Sequence, residues 1–291
     1  MTTLEALTGR TYGPFVFELS AAKVAEYVAA TGDQPDRWTE YAPPSYAGAV
    51  LFKTAPAFLH DPDVAPHARL LIHGEQTFAW PVPWRVGSVL TATGSVARIR
   101  ERNGVAFATF TMEVTDDEAN QVLTAKSVFL MSAETPPGGK AEERAEPLPE
   151  ARGRSQRASP IELPGEGESL PDMAKSASRS DLVRYASASE DFNPMHWDHR
   201  TASEAGVGAV ICHGLLMAAW ACQHGSAVTS LPNPLADARF RFRLPLYPGD
   251  EVAVRSVVTG RDGPLASIRS AVVSSAGEHM VATMNIRTGG E

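Results

Sequence analysis

The segment Tyr185-Ala-Ser-Ala-Ser189-Glu190-Asp191-Phe-Asn193-Pro194-Met-His196 brings a carboxylate, a side-chain amide and an imidazole close together along the chain. An Asp and a His five residues apart lie on different faces of a regular helix or strand, so they meet only where the backbone turns. Asn193-Pro194 is a turn signal, because proline disfavours the helical conformation at the residue before it. The preceding residues predict a short helix with Ser180 as its N-cap. We therefore predict a helix that ends in a sharp loop and directs Asp191 and His196 at one point, as an acid/base pair requires.

The chain repeats one order of predicted elements in its two halves, which indicates an ancient duplication. In the first half, a helix entered from Ser20 ends at Gly32-Asp33, and Ser45 is a candidate cap for a second, apolar helix. In the second half, the Ser180 helix is followed by an apolar helix over about 213–223. Four strand-like runs follow in each half, at 73–80, 88–96, 105–114 and 122–131, and then at 238–243, 251–258, 265–273 and 279–286. An apolar helix with four or five antiparallel strands is typical of an α+β fold in which the sheet wraps a central helix.

A break in composition separates the two halves. From about Glu134 to Met173 the chain is rich in Pro, Gly and charged residues, and neither helical nor strand periodicity persists. We therefore predict three regions: 1–133 as the first half, 134–173 as a linker with a short strand near 160–163, and 174–291 as the second half.

Bulk composition excludes several classes of function. The chain has 291 residues, 43% of them hydrophobic, and a formal net charge of −8, so a general nucleic-acid-binding surface is not expected. No apolar run approaches the roughly 18 residues that span a bilayer, and the N-terminus lacks a secretory pattern. Cys212 and Cys222 lie ten residues apart on what reads as one helix, too far apart for a disulfide. We expect a reduced, cytoplasmic protein that does not bind membranes.

Two sequence motifs resemble those of a known enzyme family. Ser189-x-Asp191-x-Asn193-Pro194-x-His196 resembles the signature of the MaoC-like, or hydratase 2, group of (R)-specific enoyl-thioester hydratases and 3-hydroxyacyl-thioester dehydratases. His213-Gly214 is similar to the pair that opens the central helix in that family. The resemblance implies a double hot-dog fold, in which each half is an antiparallel sheet around a central helix. It also implies an acyl-CoA or acyl-carrier-protein thioester as substrate and no cofactor, and it leaves a homodimer open.

The resemblance assigns Asp191 and His196 to hold one water jointly and to add it in syn geometry. Histidine exchanges protons near neutral pH, and the carboxylate orients the water. Asn193 is the candidate orienting amide. Gly214, at the start of a buried helix, is the candidate donor to the thioester oxygen, because a free backbone N–H and the helix dipole stabilise developing negative charge. The alternatives are an Asp191 that only caps a turn, a His196 that only fills the core and a Gly214 that only allows close packing.

Further candidates concern substrate binding and metal binding. Arg239-Phe-Arg241-Phe-Arg243 alternates, which places the arginines on one sheet face, and Arg241 is the candidate ligand of a CoA or phosphopantetheine phosphate. A solvated sheet face is the alternative. His213 is a substrate-binding candidate that also shapes the turn into the helix. The cluster His196-Trp-Asp198-His199 lacks further ligands at metal-binding spacing, so no metal site is predicted.

Departures from the family pattern leave competing functions open. Glu190 stands where the family usually has glycine, and it either raises the pKa values of the Asp191–His196 pair or points to solvent. A glycine there serves a positive φ, which Glu adopts only at a cost. The first half has Asp33 but no histidine at the matching position, so the resemblance makes that half a degenerate scaffold that provides an acyl tunnel. The alternatives to a hydro-lyase are a hot-dog thioesterase and a non-catalytic acyl-thioester-binding or partner subunit.

Overall fold

The computed structural model describes residues 4–68, 70–133 and 156–289. Ten strands form one antiparallel sheet, in the spatial order β1-β3-β4-β5-β2-β7-β10-β9-β8-β6. The strands are β1 (Thr11–Glu18), β2 (Leu70–Ala79), β3 (Val89–Arg102), β4 (Val105–Thr115), β5 (Gln121–Ser132), β6 (Met173–Lys175), β7 (Leu235–Phe242), β8 (Val252–Asp262), β9 (Leu265–Ser274) and β10 (Gly277–Arg287). The helices are α1 (Ala21–Thr31), α2 (Ala47–Leu51), α3 (Ala55–Leu59), α4 (Arg179–Ser189), α5 (His199–Glu204) and α6 (Gly214–Ser226). The predicted α+β class is confirmed.

The sheet consists of two copies of one strand order. The first half runs β1-β3-β4-β5-β2 from its outer edge inwards, and the second runs β6-β8-β9-β10-β7. The two halves meet where β2 pairs antiparallel with β7, with Gln76 opposite Phe240. The sheets of the two halves therefore join edge to edge into one continuous sheet.

The central helix of the second half is α6, which packs against β7 to β10. Every residue from Leu215 to Ser226 is buried, because the helix is covered by the curved sheet and by elements of the first half. A helix that is apolar on all sides is expected in such a position. The helix begins at Gly214, close to the predicted start.

The corresponding helix of the first half is interrupted. A 3-10 turn at Pro44–Tyr46 leads into α2, three turn residues follow, and α3 then begins at Ala55. Pro56 explains the break, since a proline ring inside a continuous helix would clash with the carbonyl four residues earlier, at Phe52. The prediction that Ser45 caps a single helix is wrong. Ser45 lies within the 3-10 turn, and its carbonyl oxygen accepts a hydrogen bond from the Tyr27 hydroxyl at 2.6 Å.

Helix α4 begins earlier than predicted. Its N-cap is Ser178, not Ser180: the Ser178 hydroxyl accepts from the Asp181 backbone N–H at 3.2 Å. In return, the Asp181 carboxylate accepts from the Ser178 backbone N–H at 3.0 Å. This reciprocal capping box satisfies two backbone donors at once, which explains the choice of the earlier serine. The predicted cap of α1 at Ser20 is confirmed.

The segment between the halves is irregular where it is described. Residues 134–155 of the predicted linker lie outside the described residues. The short strand predicted near 160–163 is wrong: that stretch is irregular, and the strand that does form is β6, farther along the chain. The exact division into three regions stays a prediction. No helix of the described residues is long and apolar enough to span a membrane.

The two cysteines are free and buried. Cys222 lies in α6, but Cys212 precedes the helix, so the prediction that both belong to one helix is wrong for Cys212. Burial raises the pKa of both thiols, which keeps them protonated.

Candidate active site

The loop after α4 is shaped by one left-handed residue and one short turn. Glu190 ends the helix with φ 62° and ψ 18°, which is the positive-φ conformation expected at this position. The Asn193 backbone N–H donates to Asp191 Oδ1 at 3.3 Å. The Asn193 side-chain oxygen in turn accepts from Met195 N–H at 3.2 Å and caps the 3-10 turn Pro194–His196. Asn193 therefore orients the loop through its own hydrogen bonds.

His196 is held in one tautomer by the backbone. Its Nδ1 lies 2.8 Å from the carbonyl oxygen of Ile211. A carbonyl only accepts, so Nδ1 carries the proton and Nε2 is left as the acceptor. The residue is buried, with 8% of its surface exposed. A neutral imidazole with a free Nε2 is the state that a general base requires.

His213 lies against His196 and faces the same loop. Its Nε2 donates to the carbonyl oxygen of Asp191 at 3.2 Å, so its Nδ1 is an acceptor. That Nδ1 is buried and has no hydrogen-bond partner among the described residues. The two imidazole rings stack with centroids 3.8 Å apart and 27° between their planes. Burial, followed by repulsion from His196 whenever that ring is protonated, lowers the pKa of His213 well below its usual value, so the His213 ring is neutral.

Asp191, His196 and His213 converge on one buried point. One side-chain oxygen or nitrogen from each lies within 4.8 Å of the others. Burial raises the pKa of Asp191, and His196 and the Asn193 N–H oppose that shift. The sequence interpretation that no further ligand stands near His196 missed this group, because it considered only residues adjacent in the chain. The fold supplies His213 from the residue that precedes α6.

Gly214 opens α6 beside this group. No side chain caps the helix, so the first backbone N–H groups keep their hydrogen-bonding capacity. A Cβ added at Gly214 would lie only 3.0 Å from the Phe242 ring, so close packing also requires glycine here. The two interpretations of Gly214 are thus compatible.

Arg241 lies outside this group. The arginines of β7 are exposed, whereas Phe240 is buried, as the alternation predicts. Phe242 contacts the Gly214 side, so Arg241 faces the opposite surface of the sheet. There Glu75 of β2 accepts hydrogen bonds from Arg239 at 2.7 Å and from Arg241 at 3.1 Å. Substrate binding by Arg241 stays a prediction. In the structure, Arg241 contacts Glu75 and so links the two halves.

Glu190 has a partner in the other half of the chain. Its Oε1 lies 2.5 Å from Lys53 Nζ, in the turn between α2 and α3. The carboxylate therefore points neither to bulk solvent alone nor to Asp191, whose pKa shift has other causes. Nothing near Lys53 in the sequence signalled this contact, because the partners are 137 positions apart.

The first half contains a modified copy of the same loop. Gly32 ends α1 with φ 66°, and Asp33 follows it as Asp191 follows Glu190. Five residues later the buried Trp38 stands where the second half has His196. Asp33 Oδ1 accepts from the Gln34 N–H at 2.7 Å. Its pKa is raised by burial, and the charge of Lys175 opposes the rise.

Each half of the chain matches a known family model, and the whole chain superposes on a solved structure. Residues 162–280 match the model of the MaoC like domain, and residues 6–125 match that of the FAS1-like, dehydratase domain region. A solved structure of a MaoC-like dehydratase superposes with a TM-score of 0.82 at 21% identity, covering 99% of this chain and all of that one. The fold is thus a double hot-dog. Residues 162–280 thus carry a MaoC like domain, and the first half resembles a FAS1-like dehydratase domain region.

Two relatives illustrate how distant the named homologues are. A UPF0336 protein of Streptomyces coelicolor is 28% identical over 134 residues, which is 42% of this chain and 89% of the relative. An (R)-specific enoyl-CoA hydratase of Aeromonas caviae is 28% identical over 108 residues, which is 36% of this chain and 81% of the relative. These matches show the kind of domain in each half, and they do not extend to a specific reaction.

Proposed function

We propose that the protein is a hydro-lyase that reversibly adds water to an enoyl thioester, or removes it from a 3-hydroxyacyl thioester, with (R) specificity. The observation that carries the proposal is the convergence of ligand atoms of Asp191 and His196 in one buried site, where His196 Nδ1 lies against a backbone carbonyl and Nε2 is the ring nitrogen left to exchange a proton. The name of the Aeromonas relative supports the reaction and its stereochemistry.

In the hydration direction, one water lies between Asp191 and His196. His196 Nε2 accepts a proton from this water as its oxygen bonds to the β-carbon. Asp191 accepts a hydrogen bond from the other O–H and fixes the water's orientation. The α-carbon then receives a proton from the protonated His196, on the face to which the oxygen was added. One O–H bond of water and the C=C π bond are broken while one C–O and one C–H bond form, so no proton is released overall. The addition is syn because both new bonds form on the same face.

Negative charge builds on the thioester oxygen during this reaction. The N–H of Gly214, at the positive end of α6, is the proposed donor to that oxygen. The helix terminus has no competing side-chain cap, which leaves the N–H available. Loss of such a donor typically costs on the order of 10²–10³ in turnover.

The first half is proposed to be a scaffold that lines the acyl site. Trp38 in place of a histidine removes the proton carrier from this copy of the loop. The break between α2 and α3 leaves the first half without a continuous central helix like α6. Acyl-CoA and acyl-carrier-protein thioesters are both compatible with this arrangement.

The test is hydration of crotonyl-CoA, followed as loss of enoyl absorbance. Asp191→Asn and His196→Ala are each expected to lower turnover by roughly 10²–10⁴, the usual contribution of a positioned acid or base. Asp33→Asn is the matched control in the degenerate loop and should have a much smaller effect. If Asp33→Asn lowers turnover this strongly and Asp191→Asn has only a mild effect, the catalytic residues lie in the first half and the proposal is wrong.

The same assay separates the alternative functions. Release of free CoA without loss of the double bond would identify a thioesterase. Saturable binding of crotonyl-CoA without turnover would identify a non-catalytic partner subunit. The acidic residue at position 190 makes that last outcome worth testing, because it departs from the usual glycine.

A further inference from the structure

We propose that Asp191, His196 and His213 form a binding site for a divalent transition-metal ion such as Zn²⁺. This ion would occupy the place of the reacting water and inhibit the enzyme. The inhibitory part of the proposal rests on the proposed function, whereas metal binding does not.

The three side chains present more hydrogen-bond acceptors than one water can satisfy. Asp191 offers a carboxylate oxygen, and the ring nitrogens that donate to the backbone leave His196 Nε2 and His213 Nδ1 as the acceptors of the neutral rings. One ligand atom of each residue lies within 4.8 Å of the others. A single water has two protons and satisfies only two of the three acceptors. A divalent cation satisfies all three together. The buried His213 Nδ1, which lacks a partner among the described residues, is the acceptor that a water leaves over.

Each of the two imidazoles is oriented by a hydrogen bond to a backbone carbonyl. His196 Nδ1 donates to the Ile211 carbonyl at 2.8 Å, and His213 Nε2 donates to the Asp191 carbonyl at 3.2 Å. Metal-binding histidines almost always donate their second nitrogen in this way, which fixes the ring and directs the free nitrogen at the metal. Both rings therefore already have the tautomer that a metal requires.

The type of the three ligands and the distances between them also bear on which metal ion could bind. Two imidazoles and one carboxylate suit Zn²⁺ and its neighbours in the first transition series, and they leave a coordination position for water. Ligand atoms around a tetrahedral zinc at about 2.1 Å lie roughly 3.4 Å apart. The three side-chain atoms lie within 4.8 Å of one another, so their largest separation must contract by up to about 1.4 Å. That contraction requires the stacked rings of His196 and His213 to tilt towards the ion.

The test is titration of the metal-free full-length protein with Co²⁺, which reports its coordination through visible absorption. We expect one Co²⁺ to bind per chain and Zn²⁺ to displace it. Asp191→Asn should weaken binding by at least about tenfold, the lower end of what even an outer-shell change costs. Because His213→Ala leaves a cavity in the core, Asp191→Asn keeps the test decisive if the His213 variant fails to fold.

His60→Ala is the control, since it removes an exposed histidine far along the chain from this group. It should leave Co²⁺ affinity unchanged. Absence of binding tighter than about 1 mM, or binding that Asp191→Asn leaves intact, would overturn the proposal.

Enzyme assays separate this proposal from the hydratase proposal. Zn²⁺ should inhibit crotonyl-CoA hydration, and a chelator should restore it. Hydration that is insensitive to Zn²⁺ would refute the metal site and leave the hydratase standing. If Co²⁺ binding depends on Asp191 but the protein does not hydrate crotonyl-CoA, the metal site stands and the hydratase proposal is refuted.

Discussion

Asp191 is a buried carboxyl group whose environment opposes its ionisation. Its pKa in the folded protein lies above the unfolded value of about 3.9, because burial outweighs the attraction that a protonated His196 exerts on the carboxylate. The ionised form is therefore the less favourable one in the fold. The ionisation of Asp191 does not lower the free energy of unfolding at a pH below the unfolded pKa. Its destabilising effect develops as pH rises from the unfolded pKa through the folded pKa.

We therefore predict that Asp191→Asn raises the free energy of unfolding at neutral pH, although the same change lowers turnover. The gain should shrink as pH falls towards about 4, where the carboxyl is protonated in both states. Urea unfolding of both proteins across this pH range, in the presence of a chelator, measures it.

Asp198→Asn is the control of opposite sign. The pKa of Asp198 is lowered, chiefly by the Thr201 backbone N–H, so its ionised form is favoured in the fold. Its replacement should reduce stability at neutral pH, and the loss should fade on acidification. A gain for Asp191→Asn that does not vary with pH would contradict the account.

Glu190 combines an unfavourable backbone conformation with an ion pair. A non-glycine residue at positive φ costs on the order of 1–2 kcal/mol. The pair with Lys53 is more than one-third exposed at Glu190, and such pairs contribute about 1 kcal/mol at most. Glu190→Gln removes only the charge, whereas Glu190→Gly also removes the strain. We predict that Glu190→Gly is more stable than Glu190→Gln by about 1 kcal/mol in urea unfolding.

The Glu190 variants also test electrostatic coupling to the catalytic pair. Burial and His196 dominate the pKa of Asp191, and the Glu190 carboxylate is engaged by Lys53. Glu190→Gly should therefore leave the pH–rate profile of hydration unchanged. Movement of the acidic limb to lower pH would restore the coupling hypothesis.

At the scale of elements, α4 depends on its capping box. Ser178→Ala removes the acceptor for the Asp181 N–H and should cost about 1 kcal/mol. Ser178→Gly is the matched variant and should cost only a few tenths, because glycine tolerates the cap conformation. A loss of about 1 kcal/mol for both changes, measured by urea unfolding, would assign the effect to the missing hydroxyl, and no loss for Ser178→Ala would show that the cap hydrogen bond contributes little.

Local signals decided which elements the sequence predicted correctly. Eight strands were predicted because their apolar residues alternate and turn residues bound them. β1 was missed since Gly13 and Pro14 interrupt its pattern, and β6 since it has only three residues. The cap of α4 was misplaced because Ser178 and Ser180 are both suitable residues. Only the presence of Asp181 at the third helical position favours Ser178.

The site divides in the same way between local and distant contacts. Asp191, Asn193 and His196 belong to one loop, so their convergence follows from a single turn. His213 and Lys53 reach the site from other elements, and short-range patterns do not contain such contacts. Arg241 has the alternation expected of it, but the side of the sheet that faces the site depends on tertiary packing.

At the scale of the whole molecule, the two halves share a sheet and should unfold together. The joint contains Phe240, fully buried, whose ring lies 6.4 Å from that of Phe78 in the other half. Phe240→Ala should cost roughly 3–5 kcal/mol. We predict that hydrogen exchange of β4 and β9 accelerates equally in this variant, because both strands belong to one cooperative unit. Faster exchange in β9 alone would indicate two independent units.

The strand order leaves the molecule with two outer edges, and neither is a good template for a further chain. At one edge, β1 carries Pro14 and a register shift between Tyr12 and Phe15 against β3. At the other, β6 pairs with β8 over three residues only. An edge strand without interruptions would invite edge-to-edge polymerisation, and bulges, prolines and short strands prevent it. Joining the halves through β2 and β7 thus hides the two long inner edges and leaves poor ones outside, which favours solubility at high concentration.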